Sequence, residues 1–393
     1  MFQSIINHKF EKTTKLSIIS LIFTIGIAGF NSVWSVYLKS FGVTDSNVGF
    51  IAGGFVLISL IFSFYSTIIL EKFSNVKIII YSLIILTLSL IGVSFVSTLS
   101  LFLLIWIIVT CSKILNDEAF GILFVDKSNN KDLEKNEGLK FTLANVGWFF
   151  GPLIIGLVLL KFSERYVFAV TGIIILISLF SFLKLNIKSK FKKRIKIDSD
   201  ILKNLKDYFT DINLVIPYIM ACGVKIWWGL VFIFVPLLII KNGYSISVVG
   251  FFVSAVIIPL ILFEYKIGKI AISFGFKKLF FIGFLILSIL CVVMFYLDNF
   301  LMILALLVLA NAPVALIEPI QNSYFFRQVK KIDEEKYFPI FSTSTATGSL
   351  IAHFSIAIVL LFFSDKYIFL LMAVFMGIMC IISLKVKDYK SDF

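Results

Sequence analysis

Apolar residues run along this 393-residue chain in long blocks separated by short polar stretches. The blocks cover 16–38, 46–70, 76–96, 99–125, 137–160 and 164–186, then 213–240, 246–270, 277–297, 299–326, 337–363 and 365–386. A helix of about 20 residues crosses ~30 Å of hydrocarbon, so the pattern predicts twelve transmembrane helices, six on each side of the polar interval 187–212. Membrane-crossing strands would instead alternate over ~10 residues, and no such alternation is present. The expected fold class is an all-α integral membrane protein, with two pseudo-symmetric six-helix bundles over 1–186 and 213–393 joined by a linker over 187–212.

The two sets of six share a register. Gly42-Val43-Thr44-Asp45-Ser46-Asn47-Val48-Gly49-Phe50 returns as Gly243-Tyr244-Ser245-Ile246-Ser247-Val248-Val249-Gly250-Phe251, each time between two apolar runs. Duplicated halves in a bilayer can hold a solute between them and rock, which is the physical plan of many secondary transporters.

Composition agrees: 60% of residues are hydrophobic and 15% charged, against ~25% charged in a soluble globule. The net charge of +13 is a matter of placement. Lys and Arg gather in alternate interhelical segments and at both ends. The exceptions are Lys39, Lys161, Arg165, Lys241 and Lys366 on the opposite side and Lys113 and Lys225 within spans. By the positive-inside rule both termini are cytoplasmic in a multi-pass protein of the cell membrane, and an even number of crossings follows. The positive charge therefore reports topology and does not point to nucleic acid. The first apolar run follows Lys9, Lys12 and Lys15 without a small-residue cleavage site, so it reads as a retained helix. Cys111, Cys222, Cys291 and Cys380 sit singly in four spans and read as core residues. The abundant Phe and Ile suit lipid contact and carry no functional weight.

The linker opens on Lys188, Lys190, Lys192, Lys193, Arg194 and Lys196, a run attracted to anionic lipid. After the potential caps Asp198 and Ser199, Ile201, Leu202, Leu205, Tyr208 and Phe209 recur at helical spacing opposite Lys203, Lys206 and Asp207. An interfacial helix is expected there.

Loops at the same offset in each half carry a family pattern. The second span ends in Thr67, Glu71, Lys72, Ser74 and Lys77, and the eighth in Gly268, Ile272, Gly275, Lys277 and Lys278. Both resemble the major facilitator superfamily loop Gly-x-x-x-Asp-Arg-x-Gly-Arg-Lys-Lys. The first copy keeps the acid and the second keeps the glycines. The fifth span contains Gly147, Gly151, Pro152 and Gly156, similar to the fifth-helix motif Gly-x-x-x-Gly-Pro-x-x-Gly-Gly that the superfamily's exporters carry. Small residues four apart admit close helix contact, and the proline allows a bend. The fourth-helix arginine of proton-driven drug antiporters has no counterpart among Leu103, Leu104 and Trp106.

Charges in hydrocarbon cost ~2.5–3.5 kcal/mol each on insertion scales and therefore face cavities or partners. The fourth span carries Lys113, Asn116, Asp117 and Glu118. Lys113 and Asp117 are four apart and can neutralise each other, whereas Glu118 lies ~100° further round. At the repeat offset the tenth span carries Asn311, Glu318 and Gln321. Because the first and fourth helices of each superfamily half line a central cavity, the resemblance implies that Glu118 and Glu318 approach it from opposite halves. A carboxyl group withdrawn from water can hold a proton near neutral pH, so Glu118, Glu318, Asp117 and Lys113 are the proton-coupling candidates. Asn31, Trp34, Asn116, Asn145, Lys225, Trp228, Asn311 and Gln321 are the candidates for lining a solute cavity. Lys225 calls for a carboxylate, and Glu318 is the candidate partner. Tyr37 reads as an interfacial belt residue, His353 as a structural histidine, and Glu264 as the partner of a loop lysine.

No metal-ligand spacing, catalytic constellation, phosphate-binding loop or ATP-binding domain is visible, and no cofactor is expected. The expectation is a monomeric secondary transporter that moves a small solute, coupled to protons. The fifth-span motif points to efflux of small amphipathic compounds. Uptake of a polar nutrient is the alternative within that class, and a lipid flippase or polytopic membrane enzyme is the alternative outside it.

Overall fold

The computed structural model describes residues 12–128, 133–187 and 201–388. The basic run 188–196, Asp198 and Ser199 lie outside these residues, as do the side chains of Ile201, Leu202, Glu264 and Ile272 and the surroundings of Gly268. Among the described residues, twelve helices are long and apolar enough to cross a membrane. In chain order these spans are Lys12–Lys39, Asp45–Lys72, Asn75–Val93, Leu99–Lys127, Gly138–Leu159, Glu164–Lys184, Ile212–Lys241, Ile246–Phe263, Phe276–Tyr296, Phe300–Gln328, Lys336–Phe362 and Lys366–Ser383.

The repeat that opens each second helix has a local cause. Gly42 and Gly243 adopt φ of +80° and +81°, the left-handed conformation that glycine enters without penalty at a helix end. After the seventh span, Gly243 donates to the Ile240 carbonyl and Tyr244 to that of Ile239, which closes the carbonyls a helix leaves open. Thr44 then caps the second span, its Oγ1 accepting from the Asn47 N–H at 3.3 Å.

Three spans are interrupted. The seventh passes from Ile212–Gly229 through a π-helical segment, Leu230–Phe234, into Val235–Lys241. Pro236 there has no N–H to continue the regular ladder, and such segments often mark functional sites. The tenth is built from Phe300–Leu309, Asn311–Ile317 and Gln321–Gln328, with Glu318-Pro319-Ile320 forming the turn between the last two. The eleventh breaks at Thr343, between Glu334–Ser342 and Ser344–Phe362.

The chain divides into two compact units. The described residues of one are those up to Phe41, Ile58–Ile195 and Ser245–Ser254. The other holds Gly42–Leu57, Lys196–Tyr244 and the residues from Ala255 onward. In the first unit the glycines of the fifth span make its close approaches. A Cβ on Gly151 would stand 2.4 Å from the Ile25 carbonyl oxygen, and one on Gly147 would stand 2.8 Å from Thr24. On its other side, a Cβ on Gly250 would stand 2.5 Å from the Pro152 carbonyl and 2.6 Å from the Gly156 nitrogen. The second unit contains a matching contact, where a Cβ on Gly348 would lie 2.5 Å from the Cys222 carbonyl oxygen. Those at Gly151, Gly250 and Gly348 are approaches to backbone that only small residues permit.

Tyr37 departs from the sequence expectation. It is buried, its ring 5.4 Å from Phe102 and 4.7 Å from Phe168, with its hydroxyl 3.4 Å from the carbonyls of Val93 and Val96. The neighbouring aromatic rings and carbonyls meet the needs of a tyrosine within the bundle, in place of a bilayer interface. The linker helix, Ile201–Thr210, docks its apolar side on protein. Tyr208 is fully buried among Leu214, Tyr218, Phe325 and Phe341, with Leu205 packed alongside, while Phe209 remains exposed. That burial raises the Tyr208 hydroxyl above the ordinary tyrosine pKa. Asp207 anchors the same helix to Lys336 at 3.3 Å. The four cysteines are free thiols, three of them buried.

Candidate functional site

In the first unit the fourth span sets out its polar residues by helical geometry. Lys113 and Asp117, one turn apart, pair at 2.6 Å. Both keep over a third of their side-chain surface exposed, at 37% and 45%, and so stay in contact with an open space. Asn116 is buried and accepts a hydrogen bond from Ser82 of the third span at 3.3 Å. Glu118, one residue on, points to the second span, where Ser63 Oγ lies 3.1 Å from Oε1 and Ser66 Oγ 2.5 Å from Oε2.

A cavity of about 260 Å³ opens beside this helix. Its wall includes Lys113, Asn116 and Asp117 from the fourth span, Ser20 and Thr24 from the first, and Lys140 and Trp148 from the fifth. The Lys140 ammonium stands 4.7 Å from the Phe124 ring centroid, within cation–π range. Glu118 is outside this wall, as are Asn31, Trp34 and Asn145. Trp34 is buried and stacks on Trp106 at 5.8 Å.

In the second unit the seventh and tenth spans bring three candidates together. Trp228 donates its Nε1 hydrogen to both oxygens of Glu318, at 3.1 and 3.0 Å, and Lys225 Nζ lies 3.5 Å from Oε1. Glu318 occupies the turn before Pro319, where the helix is already interrupted. The Trp228 ring stacks on Phe232 at 5.1 Å. Asn311 is buried one layer away, accepting from Trp227 Nε1 at 3.2 Å and donating to the Leu307 carbonyl at 2.8 Å. Gln321 opens the next helix, its Oε1 buried without a hydrogen-bond partner.

The paired loops differ in structure as in sequence. Thr67, Glu71 and Lys72 are exposed at the end of the second span, and Ser74 caps the third without a side-chain bond. At the second loop Gly275 has φ +95° and Lys277 donates its backbone N–H to Asp388 Oδ1 at 2.9 Å. Where Ile272 replaces the loop's own acid, a carboxylate arrives from beyond the twelfth span. Lys278 lies 5.9 Å from the Phe274 ring centroid.

Sequence reading did not find Ser63, Ser66, Ser82, Lys140, Trp148 or Asp388. Serines are ordinary in membrane helices, so their spacing carried no signal.

A family model described as Major Facilitator Superfamily matches residues 16–241 and 218–392. The chain belongs to that superfamily. It is accordingly a multi-pass membrane transporter, and solved transporter structures share its fold. The nucleoside transporter NupG superposes with a TM-score of 0.77 at 14% identity, covering 96% of this chain and 99% of its own. A D-xylose-proton symporter superposes at 0.74 and 14% identity, covering 96% and 98%. A bacterial homolog of the human lysosomal transporter Spinster, in an inward-facing and occupied conformation, superposes at 0.75 and 12% identity, covering 95% and 96%. Among curated proteins, none matches this chain.

Proposed function

We propose that this superfamily member is a proton-coupled secondary transporter, acting as a monomer in the cell membrane with both termini cytoplasmic. It moves small amphipathic compounds outward by alternating access. The observation that carries the reading is Glu118, an ionisable group within the fourth span, hydrogen-bonded to Ser63 and Ser66, on the helix whose Lys113, Asn116 and Asp117 line a cavity. A carboxyl group kept at that cost in hydrocarbon marks an ion or substrate path. Export is supported by the fifth-span sequence Gly147 to Gly156, which resembles the exporter motif. Its glycines make backbone contacts with the first span and with Gly250.

Purified protein in liposomes, with an imposed proton gradient and a panel of amphipathic dyes and polar nutrients, tests this reading. Dye movement driven away from the face bearing the termini is expected. Gradient-driven movement of nutrients toward that face would overturn the direction. No solute movement, together with transfer or hydrolysis of a lipid group, would overturn the transporter mechanism proposed.

A further inference from the structure

The cavity beside the fourth span has a wall of two kinds. Ile19, Phe23, Ile27 and Phe120 give it apolar surface, and the Lys113–Asp117 ion pair gives it a donor and an acceptor side by side. Both members of the pair keep more than a third of their side-chain surface exposed, at 37% and 45%.

The pair is joined through one oxygen. Lys113 Nζ donates to Asp117 Oδ2 at 2.6 Å, and among the described residues neither side chain makes a further hydrogen bond. An ammonium has three hydrogens and a carboxylate two oxygens, so two hydrogens and Asp117 Oδ1 are left over. The third ionisable residue of the wall, Lys140, stands over the Phe124 and Phe141 rings, 4.7 and 5.7 Å from their centroids.

A solute that meets both leftovers must carry an acceptor for Lys113 and a donor for Asp117 close together. A lone cation or anion would meet one of them, compete with the pair for it, and bring net charge into a membrane span, where charge is costly. A zwitterion brings none. An α-amino acid holds its ammonium on the carbon that bears the carboxylate, a spacing as close as that of the pair. Size narrows the class further: at about 260 Å³ the cavity falls below the ~300–1,000 Å³ of sites for drug-sized ligands. One small molecule fits.

Resting on the transporter reading proposed above, we infer that this cavity is the solute site and that it takes an apolar α-amino acid. The ammonium of the solute donates to Asp117 Oδ1 and its carboxylate accepts from Lys113. Its side chain lies against Ile19, Phe23, Ile27 and Phe120.

Thermal melts of the full chain in detergent test the class with leucine, phenylalanine and three relatives of leucine. Isopentylamine lacks the carboxylate, isocaproate lacks the ammonium, and ε-aminocaproate is an isomer with the two groups at opposite ends. A bound solute stabilises by mass action. Leucine and phenylalanine should do so at concentrations about tenfold or more below the three relatives, each of which can make only one of the two charged contacts. Asp117→Asn keeps the shape of the side chain and should weaken the leucine effect by about tenfold or more. If that variant fails to fold, the comparison of solutes on the unaltered chain decides. Equal or stronger stabilisation by the amine, the acid or the isomer would overturn the class, as would an Asp117→Asn variant that responds to leucine like the unaltered chain. Flux in liposomes separates this inference from the reading beneath it. A chain that moves the dye panel but is stabilised by neither amino acid overturns the class and leaves the transporter reading standing. A chain stabilised by leucine that moves no solute keeps the class and overturns the transporter reading.

Discussion

Asp388 accepts a hydrogen bond from the Lys277 backbone N–H at 2.9 Å, so a residue past the last span caps the first turn of the ninth. The cap also occupies the space beside Gly275, where an added Cβ would lie 2.9 Å from the Asp388 carboxylate. Asp388→Ala should lower stability by about 1 kcal/mol, the usual worth of an N-cap. Gly275→Ala should cost more, since it adds a left-handed φ to that contact. Thermal melts of the two variants in one detergent check the order.

Glycines with and without close neighbours should separate cleanly. Gly151→Ala places a methyl against the Ile25 carbonyl, a backbone atom that can yield only with its helix, and should destabilise by ~1–3 kcal/mol as overpacking does. Gly54→Ala, also within a helix but with no atom within 4 Å of the added carbon, should be neutral or stabilising by ~0.5–1 kcal/mol. Equal melting temperatures for the two would contradict the packing described.

Trp228→Phe keeps an aromatic ring beside Phe232 and deletes the N–H that bridges Glu318. Bonds to charged groups are worth ~1.5–3 kcal/mol, and a loss within that range is expected, with reduced gradient-driven transport. Trp227→Phe removes the bond to neutral Asn311 and should cost nearer ~1 kcal/mol. Melting temperatures and flux measured side by side distinguish the two.

One exposed ion pair gives a pH-dependent expectation. The hydrogen bond and charge of Lys366 hold Asp298 below its usual carboxylate pKa. A depressed folded-state value means the pair's contribution is present above the unfolded value of ~3.9 and fades as pH falls through the lower folded one. The melting difference between wild type and Asp298→Asn should therefore be small at neutral pH, shrink with salt, and vanish in acid. A difference that grows as pH falls would contradict the assignment.

Sequence alone determined what depends on one residue or one turn at a time. Twelve spans follow from the cost of leaving apolar runs in water and backbone amides in lipid. The turns at Gly42 and Gly243 follow from one glycine each, and the Lys113–Asp117 pair from a spacing of four. Lys225 beside Glu318 was legible because a charge in hydrocarbon demands an opposite one.

Only the tertiary structure decided how each helix is rotated and which neighbour it meets. That placed Trp228 on both oxygens of Glu318, Asp388 on the ninth span, the linker helix on protein, and Tyr37 and Trp34 inside an aromatic cluster. It also put Ser63 and Ser66 against Glu118. A serine hydroxyl costs little in a membrane helix because it can bond its own backbone, so it leaves no mark in the hydropathy pattern. Its value as a partner exists only where packing brings a carboxyl group to it.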